Sequence, residues 1–191
     1  LETVGGDPSK VGIYIAAFDE VVGLMNAATQ FPLLRTVKWY GSDGVANSEA
    51  LQNDPVAAQF AMDVGDPNPN LGPPSMAREK WQPLFDKCLA KTGIKPDAYA
   101  FAAYDATMVA GLNASYNKSA PRLSRHEILP ETANNYFGAT GWTHLDEAGD
   151  RTDGDFDFWA LRPGVNGKPE WVVVCHYNGL SGSIEEGSCE P

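Results

Sequence analysis

Two short apolar runs constrain this chain more than any other feature. "VGIYIAAF" (11–18) and "RTVKWY" (35–40) are led by β-branched and aromatic residues and read as buried strands. Between them, "EVVGLMNAATQ" sets Val21, Leu24, Met25 and Ala28 on one helix face, with Asp19 placed to cap it and Pro32 to end it. Gly41 to Gly44 ("GSDG") reads as a turn, and "SEAL" opens a short helix with Ser48 or Asn47 as its cap. Strand, helix, strand, turn and helix in that order are the βαβ pattern of a parallel sheet, so the expected class is α/β.

The texture then changes. "DVGDPNPNLGPPS" (63–75), with Pro67, Pro69, Pro73 and Pro74, reads as a loop or a domain crossing. Two helices are expected next. In the first, Trp81, Leu84, Phe85, Cys88 and Leu89 share a face, which makes Cys88 a buried core thiol. The second is the alanine-rich "DAYAFAAYDATMVAGLNAS" (97–115), with Tyr99, Ala102, Ala106, Val109 and Ala110 on its packing face. A short third helix is expected near 121–127, limited by Pro130. Beyond it, "YFGATGWTHL" reads as a strand and "DEAGDRTDGD" as a polar turn. "FDFWALRP" and "EWVVVCHY" read as strands of an antiparallel meander or hairpin, and "NGLSGSIEEGSCEP" as a loop-like tail.

Charge narrows the partners. Fourteen basic against 25 acidic residues give a net charge of −11, which leaves no positive excess for nucleic acid or an anionic membrane. No apolar run approaches the roughly 20 residues that span a bilayer. The opening "LETVGGDPSK", without an initiating Met or signal peptide, reads as the result of processing or truncation upstream. Of the three cysteines, Cys175 and Cys189 are placed to bridge and pin the tail, as suits an exported protein. Two triplets, "NAS" (113–115) and "NKS" (117–119), match the glycosylation pattern.

Motifs for catalysis are missing. His126, His144 and His176 show no zincin spacing, and "GLSGS" near 181 lacks the full nucleophile elbow. The acid-rich "LDEAGDRTDGDFDF" departs from the EF-hand spacing and reads as a hairpin turn. Cys175 and His176 are adjacent, so on a strand they face opposite ways and cannot act as a nucleophile–base pair. The reading assigns no catalytic residue, metal or cofactor, and the chain is expected not to be an enzyme.

Four stretches in order carry a resemblance: "GIYIAAFDEVVGLMNAA", "WYGSDGVANSEAL", "PDAYAFAAYDATMVAGLNAS" and "FGATGWTHLDEAGDRTDGDFDFWAL". Across residues 11–177 the chain resembles the C-terminal half of the type I periplasmic solute-binding proteins of ABC importers. It is most similar to the leucine/isoleucine/valine-binding group. The match rests on the Gly–x–acid–Gly–Val–Ala–Asn run, the Tyr104-Asp105-Ala106 signature and the Gly-x-x-Gly, Asp-x-x-Gly-Asp segment.

That resemblance implies part of a two-lobed fold: a parallel sheet with flanking helices, plus a C-terminal antiparallel crossover hairpin, with a small ligand trapped between the lobes. It implies residues 1–74 as a portion of the second lobe with cleft-facing strand ends. Residues 75–157 return to the first lobe, and 158–191 form the final crossover strands and tail. Asp43 takes the position that accepts an amino acid's α-ammonium, Ser42 beside it is a further expected ligand contact, and Phe18 takes the position that covers the ligand. Asp is shorter than the Glu of branched-chain binders, which shifts the amine or admits a water. Asp105 is read as a packing or hinge-supporting acid. The implied partners are an amino acid or related amine, a membrane permease and a missing N-terminal half of the same protein, with a periplasmic or extracellular location. The competing role is that of a ligand-sensing receptor or amide-responsive regulator of the same fold.

Overall fold

The βαβ expectation is met at the start of the chain. β1 (Gly12–Tyr14) pairs in parallel with β2 (Lys38–Tyr40), Ile13 opposite Trp39, and α1 (Val21–Ala28) lies between them in sequence. The computed structural model describes residues 5–119, 125–187 and 189, apart from the side chains of 117–119, 125, 126 and 186. Those residues fall into two compact units, one within 1–70, 157–177 and 184–191, the other within 71–156 and 178–183.

In the first unit β1 is much shorter than its apolar run. The ladder ends where the Ile15 N–H donates to the Tyr40 carbonyl at 2.8 Å, because the next free backbone groups, on Ala17, are taken by the Ser42 hydroxyl. Asp19 does not cap α1. The helix begins after Glu20 with no side-chain cap, and the Asp19 carboxylate instead accepts from the Ser48 hydroxyl at 3.0 Å. Ser48 caps α2 (Glu49–Asn53) through the Leu51 N–H. Asp54 caps α3 (Pro55–Val64), accepting from Val56 and Ala57, and Gly65 ends it at φ 82°. The core gathers Val21, Met25, Val45, Leu51 and Ala57 around Trp39, whose ring meets Phe60 edge-on at 5.2 Å.

The proline-rich segment is not a plain loop. It contains β3 (Asn68–Gly72), which opens a four-stranded sheet ordered β3, β6 (Asp155–Pro163), β7 (Pro169–Asn178) and β8 (Ser183–Gly187). An edge strand tolerates Pro69 because one row of its N–H groups pairs with nothing. Residues 164–168 join β6 to β7, too few for a parallel crossover. β8 corrects the loop-like tail: a bond between Cys175 and Cys189, with Cα atoms 5.3 Å apart, holds it beside β7.

The second unit carries α4 (Arg78–Thr92), α5 (Ala98–Ser119) and α6 (Arg125–Asn134). Residues 121–124 of the expected third helix lie outside the described residues. Pro130 does not stop α6, which runs through it while Ile128, Thr132 and Ala133 stay buried. Packing there outweighs the roughly 3 kcal/mol that an internal proline costs. Two further expectations fail. Cys88 is a free, half-exposed thiol, because α4 buries none of its residues. On α5 the buried stripe is Phe101, Asp105, Val109 and Asn113, leaving Tyr99, Ala106 and Ala110 exposed.

Asp105 is the reason for that rotation. "YFGATGW" is not one strand but a tight antiparallel hairpin, β4 (Phe137–Gly138) against β5 (Gly141–Trp142). Its turn is held by the Asp105 carboxylate, which accepts from the Ala139 N–H at 2.9 Å and from the Thr140 N–H and hydroxyl at 2.7 Å each. A Cβ on Gly138 would overlap that carboxylate. Arg151 braces the far side, donating to the Thr140 hydroxyl and the Trp142 carbonyl at 2.8 Å each. Burial lowers the Arg151 guanidinium from its ordinary range, and Asp105, Asp153 and Asp155 pull it back. Burial and Asp105 push the Tyr136 phenol up to about 12. Asp105→Ala strands three buried donors and should lower stability by about 3 kcal/mol or more, at about 1 kcal/mol or more per donor. Urea melts check it, and a loss below about 1 kcal/mol would show that the hairpin turn holds itself.

Candidate functional site

Because β1 and β2 are parallel, their carboxyl ends meet at one edge, where α/β folds present ligand-binding loops. Residues 15–19 and 41–44 leave the strands there. Ser42 is buried and stitches the two segments. The Ala17 N–H donates to its Oγ at 3.3 Å, and Oγ donates back to the Ala17 carbonyl at 3.3 Å. Gly44 permits the close approach: a Cβ there would lie 2.5 Å from the Ala17 oxygen and 2.8 Å from the Phe18 ring. The turn then winds into helix-like bonds, with Val45 and Ala46 donating to the Ser42 carbonyl.

On this ledge the two residues that the sequence singled out stand in the open. Phe18 is 71% exposed, although its own carbonyl is held by the Val21 N–H at 3.1 Å. Asp43 is exposed, and among the described residues no hydrogen bond or ion pair holds its carboxylate. Ser42 shares the turn but points its hydroxyl inward, so it is placed as a brace. An exposed aromatic ring against Gly44 and an unpaired carboxylate on the residue before it are groups suited to a cation with an apolar body. The histidines are engaged elsewhere: His144 with Asp153 and His176 with Asp157, each at 2.7 Å. His126 lies outside the described side chains. Among the described residues no group of three or more His, Cys, Asp and Glu is placed to hold a metal, and no helix is long and apolar enough to cross a membrane.

Beneath the ledge lies a feature that sequence reasoning missed. Gly41 donates its N–H to the Pro67 carbonyl at 3.1 Å, and its bare Cα faces the Asn68 amide, so any larger residue at 41 would collide. Asn68 and Asp66 are both buried. The Asn68 amide donates to the Asp66 carbonyl at 2.7 Å and to its carboxylate at 3.3 Å. Among the described residues, the other carboxylate oxygen of Asp66 and the Asn68 oxygen have no donor. In the sequence "GDPNPN" looks like any polar turn, because nothing local marks it for burial.

No protein-family model matches the chain, and no curated protein does. Among solved structures, an ABC transporter substrate-binding protein from Desulfitobacterium hafniense is similar over 90% of this chain, with TM-score 0.58 and 17% identity. The fold is that of a solute-binding protein. This chain spans 45% of that protein's length. At such identity the likeness establishes the α/β solute-binding fold and leaves ligand and residue roles to the chemistry of the ledge.

The buried acid under the ledge gives this solute-binding fold a pH signature. Burial pushes the Asp66 carboxyl up to about 6 from the ordinary 3.8, while Asn68 and Arg162 pull it down. Below the ordinary value both folded and unfolded chains hold the proton, and the contribution is fully present. Between there and about pH 6 only the folded chain holds it, so stability drains away as pH rises, by about 3 kcal/mol at 1.36 kcal/mol per unit. Asp66→Asn should remove that loss and be the more stable protein at pH 7.5. Paired urea melts of both proteins at pH 4.5 and 7.5 check it; equal pH dependence would place the Asp66 proton elsewhere.

Proposed function

We propose that this chain forms one side of the ligand cleft of a type I solute-binding protein serving an ABC importer, outside the cytoplasm. The ligand is an amino acid or related small amine, as in the branched-chain group. The carrying observation is the ledge itself: Asp43 exposed and unpaired on a turn braced by Ser42, with the exposed Phe18 ring against Gly44, the residue that follows it. Asp43 accepts the ammonium, Phe18 covers the apolar body, and the ligand's carboxylate is met by a second wall. The likeness to a transporter binding protein, matched over 45% of its length, supports this reading.

In this reading residues 1–74 supply the cleft-facing strand ends of one lobe, 75–157 belong to the other and 158–191 complete the crossovers. The missing N-terminal half supplies the facing wall, and the membrane permease receives the ligand. Binding and release, with no turnover, is the whole of the chemistry, and no cofactor takes part.

The test is a titration of the full natural chain with a panel of amino acids. Removing one partner of a buried charge pair costs roughly 2–5 kcal/mol. Asp43→Ala should therefore weaken the best ligand by about one and a half to three and a half decades. Asp43→Asn should fall between, and the melting temperature should stay unchanged. Unaltered affinity in Asp43→Ala would reduce Asp43 to a turn residue. The 191-residue chain alone should bind no better than millimolar, because its ledge stays open to water; micromolar binding by it would overturn the half-cleft reading.

A further inference from the structure

The turn that carries Asp43 is tied at both ends. Its first end is Ser42, stitched to Ala17. Its far end is Ser48, and every polar group of that residue is engaged. The Ser48 N–H donates to the Val45 carbonyl at 3.0 Å. Its hydroxyl donates to Asp19 at 3.0 Å and accepts from the Leu51 N–H at 3.2 Å. Its carbonyl accepts twice, from the Gln52 N–H and from the Trp171 indole N–H, at 3.1 Å each. The Gln52 bond is the one that opens α2, so the helix does not need Trp171. Trp171 comes from β7, 123 residues away in sequence but in the same compact unit, and packs half-buried against the core. Beside it the Gln52 side-chain amide donates to the Pro169 carbonyl at 2.9 Å, a second link from α2 to the start of β7. Between the two ends Asn47 sits at φ 63°, a left-handed conformation that persists in a non-glycine residue only where its surroundings hold it.

We propose that Trp171 is a positioning residue for the ledge. Its indole N–H holds the far end of the Asp43 turn through the Ser48 carbonyl, and Asp19 is a second tie through the Ser48 hydroxyl. This rests on the reading of Asp43 as a ligand contact and adds what keeps that carboxylate's turn in place. A turn anchored only at Ser42 would swing on that residue. Anchored also at Ser48, it has both ends fixed to parts of the chain outside itself, β7 and the segment after β1. A ligand then meets a turn that is already ordered and does not bear the cost of ordering it. Packing alone does not call for the bond. A phenylalanine ring would fill the same place, whereas an indole brings one N–H, and here it goes to a carbonyl that already has its helical donor.

The experiment measures amide hydrogen exchange in the full natural chain and in Trp171→Phe, which keeps an aromatic ring and loses the N–H. The Val45, Ala46 and Ser48 amides, whose bonds lie within the turn, should exchange about three- to tenfold faster. Ala58, in α3 of the same unit, should be unchanged. A merely structural loss would quicken all four together. Asp19→Ala, at an exposed position, should quicken the same three amides, and it decides by them should Trp171→Phe not fold. In the amino-acid panel, Trp171→Phe should weaken the tightest-binding amino acid about three- to tenfold, and add nothing once Asp43→Ala is in place. Uniform quickening, unchanged exchange in the turn, or affinity lost in Asp43→Ala but kept in Trp171→Phe would each overturn the proposal. A loosened turn with affinity kept in both variants counts against Asp43 as the ligand contact and leaves the brace standing.

Discussion

One hydroxyl decides the shape of the ledge. Ser42 Oγ both receives from and donates to the backbone of Ala17, which takes those groups out of the β1–β2 ladder. The strands stop early for that reason, and the chain after β1 is pulled across the turn after β2. With Gly44 offering no side chain, Phe18 settles over that turn, and its carbonyl starts α1. Asp43 follows the anchored serine directly and is carried outward as the first solvent-facing group. The brace is buried and the two exposed residues hang from it, so the backbone that carries them is held in place. Preorganisation of that kind lowers the ordering cost that binding otherwise pays.

Two buried acids show how differently the same side chain is used. Asp105 meets the Ala139 and Thr140 N–H groups and the Thr140 hydroxyl, and with them fixes a hairpin turn. Asp66 meets a single amide at 3.3 Å and keeps one oxygen without a donor. The first is satisfied by the backbone around it. The second is held down by packing, since Gly41, Pro67 and Asn68 close over the same spot, and its carboxyl pays the desolvation cost by rising to about 6.

Features set by neighbours in sequence were legible in advance. The βαβ order, Ser48 as one of the two caps offered and the existence of α5, though not its four further residues, follow from local periodicity and capping chemistry. The ledge residues Phe18 and Asp43 were legible only as positions, because an isolated acid between glycines has the same sequence whether it binds or merely turns. What failed depended on distant partners. The inward face of α5 is chosen by a hairpin turn more than 30 residues away, and the propensity of alanine for close packing says nothing of that. β3 forms in a proline-rich segment because β6 offers it an edge, and β8 because Cys189 reaches back to Cys175. Cys88 had the right spacing for burial, but spacing establishes that a face is apolar and not how completely it is covered, and here the whole face is half-buried.

The exposure of that ledge sets what it can do alone. An ammonium beside a carboxylate in open water gains about 0–1 kcal/mol, which corresponds to no useful affinity. The same pair sealed from water and hydrogen-bonded is worth several times more, because the surrounding dielectric falls while the geometry stays fixed. A Phe ring 71% exposed contributes little until something lies against its other face. Both groups therefore gain most of their value from a second surface closing over the ligand. Under the proposed function the carboxylate and ring supply recognition, and the closing wall supplies the desolvation that makes recognition strong. Release then needs no chemistry at this ledge, since reopening the wall returns the ion pair to water.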